Sequence, residues 1–333
     1  RSTLPTSLSL RHPFPTSPPH LILLPPPHTM PRQRPVVYLP PMLLAAVLLL
    51  GLGPYTAQSA AMSYDFYAKT CRNLNDIVRD TVTNKQIDHP TTAAGTIRLF
   101  LHDCLVSGCD ASILLTSTRL SPPSERDADI NLSLPGDAFD LLTRLKIAAE
   151  LACPETVSCA DLLALATRDL VSIVGGPHYD VLLGRRDYQS SSAAYAAGKL
   201  PRPAMNLSKI AGIFRSQGFS DREMVALSGA HTIGFSHCSE FVPDLLKSNG
   251  SGYDARFAEG LRRACSDYRN NPALSVFNDQ ISPSKFDNQY YKNLESGLGL
   301  LRSDQAYMAD PTTRGYVAEY AREEGLFFRD FSR

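Results

Sequence analysis

Arg98-Leu99-Phe100-Leu101-His102-Asp103-Cys104, continued by Gly108-Cys109-Asp110-Ala111-Ser112, is the stretch on which the reading of this chain turns. It lies in a run from Thr91 to Leu105 that is apolar with short residues early, the pattern of a buried helix. Arg98 and His102 stand four residues apart and so share one face of that helix. Taken alone, such a pair on an apolar helix is most simply a buried polar contact. A second informative stretch is Ala226-Leu227-Ser228-Gly229-Ala230-His231-Thr232-Ile233-Gly234. Ser220-Asp221-Arg222-Glu223 before it has the Ser-x-x-Glu form of a capping box, so His231 should follow a helix that ends near Gly229.

Working outward, the pattern stays helical. Asp137 to Leu151 places Phe139, Leu141, Leu142, Leu145, Ile147 and Ala148 at helical spacing. Ala160 to Val174 repeats this and stops at the breaker Gly175-Gly176-Pro177. Asp310-Pro311 opens another helix, with Pro at its first position, predicted to run to Gly325. Pro and Gly clusters over 116–136 and 186–206 read as long loops, and no internal repeat is visible. The expected class is all-α.

Composition excludes several functions. Charge is balanced, 33 basic against 33 acidic residues, with no basic run, which argues against nucleic acid or an anionic membrane as partner. Arg1 to Thr29 is crowded with Pro, Ser and Leu and reads as a leader. From Met30 come Arg32 and Arg34, the apolar run Met42 to Leu52, and small residues around Ser59-Ala60-Ala61. That order is a secretory signal peptide, residues 30–61, cleaved near Ala60 or Ala61. The apolar run is shorter than the roughly 20 residues a membrane span needs. Export suits the seven cysteines, although six paired cysteines allow 15 connectivities and spacing cannot choose among them. Sequons stand at Asn131, Asn206 and Asn249.

The two histidine stretches together resemble the signature segments of the secreted plant haem peroxidases, class III. The likeness runs from about Ser63 to the C-terminus and includes Cys153-Pro154-Glu155-Thr156-Val157-Ser158-Cys159-Ala160-Asp161. It implies a peroxidase domain over 62–333, with two helical halves (about 62–205 and 206–333) sandwiching one haem b. It further implies a secreted monomer of the cell wall or apoplast, or of the vacuole, that reduces hydrogen peroxide and oxidises phenolic donors one electron at a time.

Roles come with the resemblance. His102 would be the general base and then acid, worth about 10²–10⁴-fold, and Arg98 would stabilise charge as the O–O bond breaks. Asn131 would hold the other His102 nitrogen, which places its side chain inside and makes its sequon silent. His231 would be the axial iron ligand, with Asp304 as its carboxylate partner; the small neighbours Gly229, Ala230 and Gly234 would let a flat macrocycle approach. Two calcium ions are implied: one on Asp103, Asp110, Ser112 and the carbonyls of Val106 and Gly108, the other on Thr232, Asp279, Ser282, the Lys285 carbonyl and Asp287. Asp161 and Arg185 would form a buried structural pair, and Pro201 would line the aromatic-substrate entrance. The implied disulfides are Cys71–Cys153, Cys104–Cys109 and Cys238–Cys265, with Cys159 unpaired.

Three departures from the family pattern stand out. Leu101 replaces the usual Phe before the distal histidine, and Asn278 replaces an apolar or aromatic residue. The chain also stops at Phe331-Ser332-Arg333, short of the family's final helix and of the cysteine that would pair with Cys159. Apolar surface around Leu326, Phe327, Phe328 and Phe331 is therefore expected to be partly uncovered. Two rival readings accompany the leading one: a secreted scaffold of the same shape without turnover, acting structurally or by binding, and a cysteine hydrolase using Cys104 with His102.

Overall fold

The computed structural model describes residues 61–333; the expected leader and, save for Ala61, the expected signal peptide lie outside the described residues. Twelve α-helices are present among the described residues. The first four are α1 (Leu74–Asp88), α2 (Thr92–Ser107), α3 (Gly136–Ala152) and α4 (Cys159–Ile173). They are followed by α5 (Leu207–Ser216), α6 (Asp221–Ser228), α7 (Cys238–Lys247) and α8 (Ala255–Ala264). The last four are α9 (Gln289–Glu295), α10 (Arg302–Ala309), α11 (Pro311–Arg322) and α12 (Glu324–Phe331). One short antiparallel ribbon, β1 (Phe235–His237) with β2 (Ser275–Phe277), sets Phe235 opposite Phe277. The fold is the all-α one expected.

Helix α4 is the hub of the N-terminal group and packs on α1, α2 and α3. Its N-cap Ser158 accepts from Asp161 N, and its residues from Ala160 to Val171 are all buried. Gly176 then passes so close to Val171 and Phe286 that a Cβ would sit 2.6 Å from one and 2.7 Å from the other. The breaker read from sequence is thus also a packing requirement. Helix α2 is nearly as enclosed, and Gly95 lets it meet Pro135, whose Cγ would lie 2.5 Å from a Cβ there. The half-buried positions Ala94, Arg98 and Leu101 recur along one face of α2.

At the C-terminal end packing corrects the expected helix boundary, and it covers Phe327 while leaving its apolar neighbours partly uncovered as expected. The helix from Pro311 stops at Arg322, because Glu323 turns to φ −127°, ψ 93° and Gly325 belongs to α12. Phe327 is fully buried, stacked on Phe286 and edge-on to Tyr291. Leu326, Phe328 and Phe331 are half-buried against the same core. Within the loop 116–136 the chain makes two 3₁₀ turns, Glu125–Asp127 and Asp129–Asn131, and a further 3₁₀ turn, Ala193–Ala196, lies in the other loop.

Three disulfides join Cys71 to Cys153, Cys104 to Cys109 and Cys238 to Cys265, and Cys159 is free. The first closes a separation of 82 residues, worth about 4–5 kcal/mol by chain entropy. Asp161 is wholly buried and receives Tyr67 Oη at 2.8 Å, Gly184 N at 2.7 Å and Arg185 Nη1 at 3.1 Å. Such a carboxylate is satisfied by hydrogen bonds as well as by its ion pair.

Candidate active site

The third turn of α2 carries His102, and the 3₁₀ turn Asp129–Asn131 meets it. Asn131 Oδ1 accepts from His102 Nδ1 at 2.7 Å, while Asn131 Nδ2 donates to the Glu125 carbonyl at 2.7 Å. Both ends of this buried amide are engaged, so no glycan can be attached without dismantling the turn. An amide oxygen only accepts, so the proton sits on Nδ1 and Nε2 keeps its lone pair. Arg98 Nε donates to that Nε2 at 3.3 Å. The guanidinium is held by the Ile130 and Ser133 carbonyls at 3.3 and 3.2 Å and by Ser133 Oγ at 2.9 Å. Burial, reinforced by the Arg98 charge, pushes the His102 pKa down to about 3. His102 is therefore a neutral base at any physiological pH.

His231 is placed differently. It lies in a 3₁₀ turn, Gly229–Thr232, that directly continues α6, whose capping box of Ser220 and Glu223 is formed. The small neighbours serve packing: a Cβ on Gly229 would lie 2.3 Å from Tyr291 Oη, and one on Gly234 would lie 2.8 Å from Ala94 Cβ. Gly234 also takes φ +83°, which turns the chain into β1. His231 Nδ1 donates to Asp304 Oδ1 at 2.9 Å, and the hydroxyl of Tyr290 donates to the same oxygen at 3.1 Å. Desolvation by the protein packed around the ring works against an imidazolium although one side of it is open, but the Asp304 charge and hydrogen bond outweigh this and raise the pKa. Arg98 is near enough to act on the His231 charge in the opposite sense. The buried Asp304 thus backs an imidazole whose side chain is 42% exposed and whose Nε2 is free. This is the donor arrangement that a haem iron takes from an axial histidine.

Oxygen atoms gather on the far side of both histidines. Next to His102, Asp103 is fully buried; its Oδ2 accepts from Ala111 N at 3.0 Å, while its Oδ1 has no partner. Asp110 Oδ1 accepts from Ser112 N at 3.0 Å, and Ser112 Oγ donates to Glu125 Oε1 at 3.1 Å. Glu125 Oε2 is likewise buried and without a partner. Burial pushes the Asp103 carboxyl up to about 7. Next to His231, Thr232 Oγ1 donates to Asp287 Oδ1 at 3.3 Å, and Ser282 Oγ donates to Asp279 Oδ2 at 2.8 Å. Asn293 Nδ2 donates to Asp279 Oδ1 at 2.8 Å. The Lys285 ammonium stands 3.5 Å from Asp287 Oδ2. Among the described residues no three His, Cys, Asp or Glu side chains converge as a metal cluster. What each group offers is a mixture of carboxylate and hydroxyl oxygens, donors a hard cation takes. The two unpartnered carboxylate oxygens of the first group are donors that a hard cation would satisfy.

Several contributors escaped the sequence reading: Ile130 and Ser133 behind Arg98, Glu125 behind Asn131, and Tyr290 behind Asp304. None carries a local pattern that would have revealed it. At the two departures, Leu101 is half-buried against the core, and Asn278 bridges Ser236 Oγ at 2.7 Å and the Ile233 carbonyl at 3.3 Å. The bond between Cys104 and Cys109 removes the thiol on which a hydrolase reading depends. Arg202, beside Pro201, clasps Asp129 at 2.7 and 2.8 Å and, with Ile130, lines a recess of about 360 Å³. No helix among the described residues is long and apolar enough to cross a membrane.

Comparison with known proteins agrees with this geometry. A family model described as peroxidase matches residues 78–323. Peroxidase 31 of Arabidopsis thaliana is 55% identical over 290 residues, covering 87% of this chain and 91% of the relative. Peroxidase 63 of the same plant is 53% identical over 289 residues, 86% of this chain and 88% of the relative, and Peroxidase 41 is 49% identical over 290. With its paired histidine networks and these relatives, the chain belongs to the plant peroxidase family, class III, whose cofactor is haem.

Proposed function

We propose that this chain is a secreted haem b peroxidase that reduces hydrogen peroxide and oxidises phenolic donors in one-electron steps. One peroxide and two phenols give two waters and two phenoxyl radicals. The observation that carries the reading is the opposed state of the two histidines: His102 is kept neutral by burial and Arg98, while His231 is backed by Asp304. Haem held through His231 Nε2 would supply the iron at which peroxide reacts and would store the two oxidising equivalents that peroxide delivers.

The chain's own residues do the proton work. His102 Nε2 takes the proton of the attacking peroxide oxygen and returns it to the departing one, which leaves as water. Asn131 keeps the imidazole in the tautomer that makes this possible. Arg98 remains ionised despite its burial and opposes the negative charge that builds as the O–O bond stretches. The complete set of hydrogen bonds around Arg98, His102 and Asn131 favours turnover over a scaffold without it. The recess is lined by Asp129 and Ile130 of the Asn131 turn itself, together with Arg202, which supports donor approach near Pro201. Two calcium ions, on the oxygen groups next to His102 and His231, would brace both networks. Function as a monomer in the cell wall, apoplast or vacuole completes the reading.

The test is a pair of variants. His102→Ala should keep its haem and lose peroxide-dependent oxidation by about 10²-fold or more. His231→Ala should instead lose or weaken haem binding itself. Normal stopped-flow reaction of the His102→Ala protein with peroxide refutes the assignment.

A further inference from the structure

The oxygen cradle behind His102 already contains a positive charge supplied by the chain. Lys199 follows the 3₁₀ turn Ala193–Ala196, and its Nζ donates to the Val106 carbonyl at 2.6 Å, across a sequence separation of 93. Val106 is in the last turn of α2, where carbonyls have no partner within the helix and a lysine is a natural cap. What lies beside that carbonyl gives the contact a second meaning. Asp103 Oδ1 and Glu125 Oε2 are buried and have no hydrogen-bond partner, and both residues are 0% exposed. Asp103, Asp110 and Glu125 thus act on one another's charge, and the ammonium of the exposed Lys199 reaches in beside them to hold a neutral carbonyl and neither orphaned oxygen. Lys199 is near enough to favour ionised Glu125.

We propose that Lys199 is an internal cation that competes with calcium for this cradle. The inference rests on reading the Asp103 group as a calcium site, with Val106 O among its ligands. An ammonium and a calcium ion drawn to one carbonyl oxygen would repel each other at close range. Binding therefore requires Lys199 to leave, which its flexible and well-hydrated side chain allows. While Lys199 stays, it supplies part of the missing charge, so the calcium-free protein loses less stability than an empty cradle of three acids would. The result is a site that binds calcium weakly enough to release it. The second oxygen group provides an internal comparison. There Lys285 stands 3.5 Å from a carboxylate, against 2.6 Å between Lys199 and the Val106 carbonyl, so its hold is looser and it obstructs less.

The experiment strips calcium from the haem-loaded protein and titrates calcium ion back against a fluorescent chelator. Wild type, Lys199→Met and Lys285→Met are compared, and Asp110→Asn identifies the binding step that belongs to the first cradle. A contact closed about nine-tenths of the time raises an apparent Kd roughly tenfold. Lys199→Met should therefore bind calcium at that step about tenfold more tightly and show a larger fall in Tm on chelation. Lys285→Met should stay within about twofold of wild type. Calcium uptake at the first cradle by Lys199→Met alone also supports competition. Equal or weaker affinity in Lys199→Met overturns the proposal while leaving the site intact. Absence, in both proteins, of any step that Asp110→Asn abolishes overturns the calcium reading and the proposal together.

Discussion

Tyr290→Phe isolates a contribution that neither histidine motif reveals. In the structure Asp304 Oδ1 accepts two protons, from His231 Nδ1 at 2.9 Å and from Tyr290 Oη at 3.1 Å. The two donors compete for one charged oxygen. A hydrogen bond to a charged group contributes about 1.5–3 kcal/mol, so removing the hydroxyl leaves Asp304 a stronger acceptor for the imidazole proton. If about 1 kcal/mol of that reaches His231, the imidazole gains anionic character and favours ferric over ferrous iron. Since 59 mV corresponds to a tenfold change for one electron, the ferric/ferrous potential should fall by about 40 mV. The ring remains packed edge-on to His231, 6.1 Å between centroids, and Phe leaves no unpaired donor behind, so the fold should survive. Stability should drop by only about 1–2 kcal/mol. Spectroelectrochemical titration of the haem-loaded wild type and variant reads the shift directly. An unchanged or higher potential in Tyr290→Phe refutes the argument that Tyr290 restrains Asp304.

Other outcomes follow from the same geometry. An unfolded histidine titrates near 6.5, whereas His102 in the fold titrates near 3; the unfolded chain thus binds more protons between those values. The stability contributed by neutral His102 is full above about pH 6.5 and is lost as pH falls toward 3. Thermal midpoints should accordingly decline more steeply with acid in wild type than in His102→Leu, and parallel declines count against a neutral, buried His102. Calcium removal should lower both activity and Tm, with partial recovery on adding it back, because an ion bound only by the folded state stabilises by mass action. An unaltered melt after verified depletion rejects both calcium sites. Burial, then the nearby Asp187 carboxylate, push the Cys159 thiol up to about 11. Native labelling at pH 8 should be roughly a hundredfold slower than for an ordinary cysteine, and unfolding without reductant should expose this one thiol. Labelling of a different cysteine contradicts the pairing.

Much of this protein was legible in the sequence, because helical periodicity, caps and breakers are local. The Thr91–Leu105 run, the Ser220 capping box and the Gly175-Gly176-Pro177 stop each became the element that its own residues specify. Arg98 and His102 were readable as partners for the same reason, since four residues on a helix set two side chains on one face. Tertiary structure decided what chain neighbours cannot encode. Which of 15 pairings the cysteines take depends on Cys71 and Cys153 meeting across 82 residues. Glu125, Tyr290 and Lys199 act through contacts with residues distant in the chain, and nothing beside them in sequence marks them out. Gly229 gained a reason of the same kind: its neighbours Tyr291 and Phe327 arrive from other helices, so packing by itself requires its small size. Local sequence chose the helices and supplied the chemical groups, whereas the close approach of distant segments set the charge, partner and hydrogen-bond state of each one.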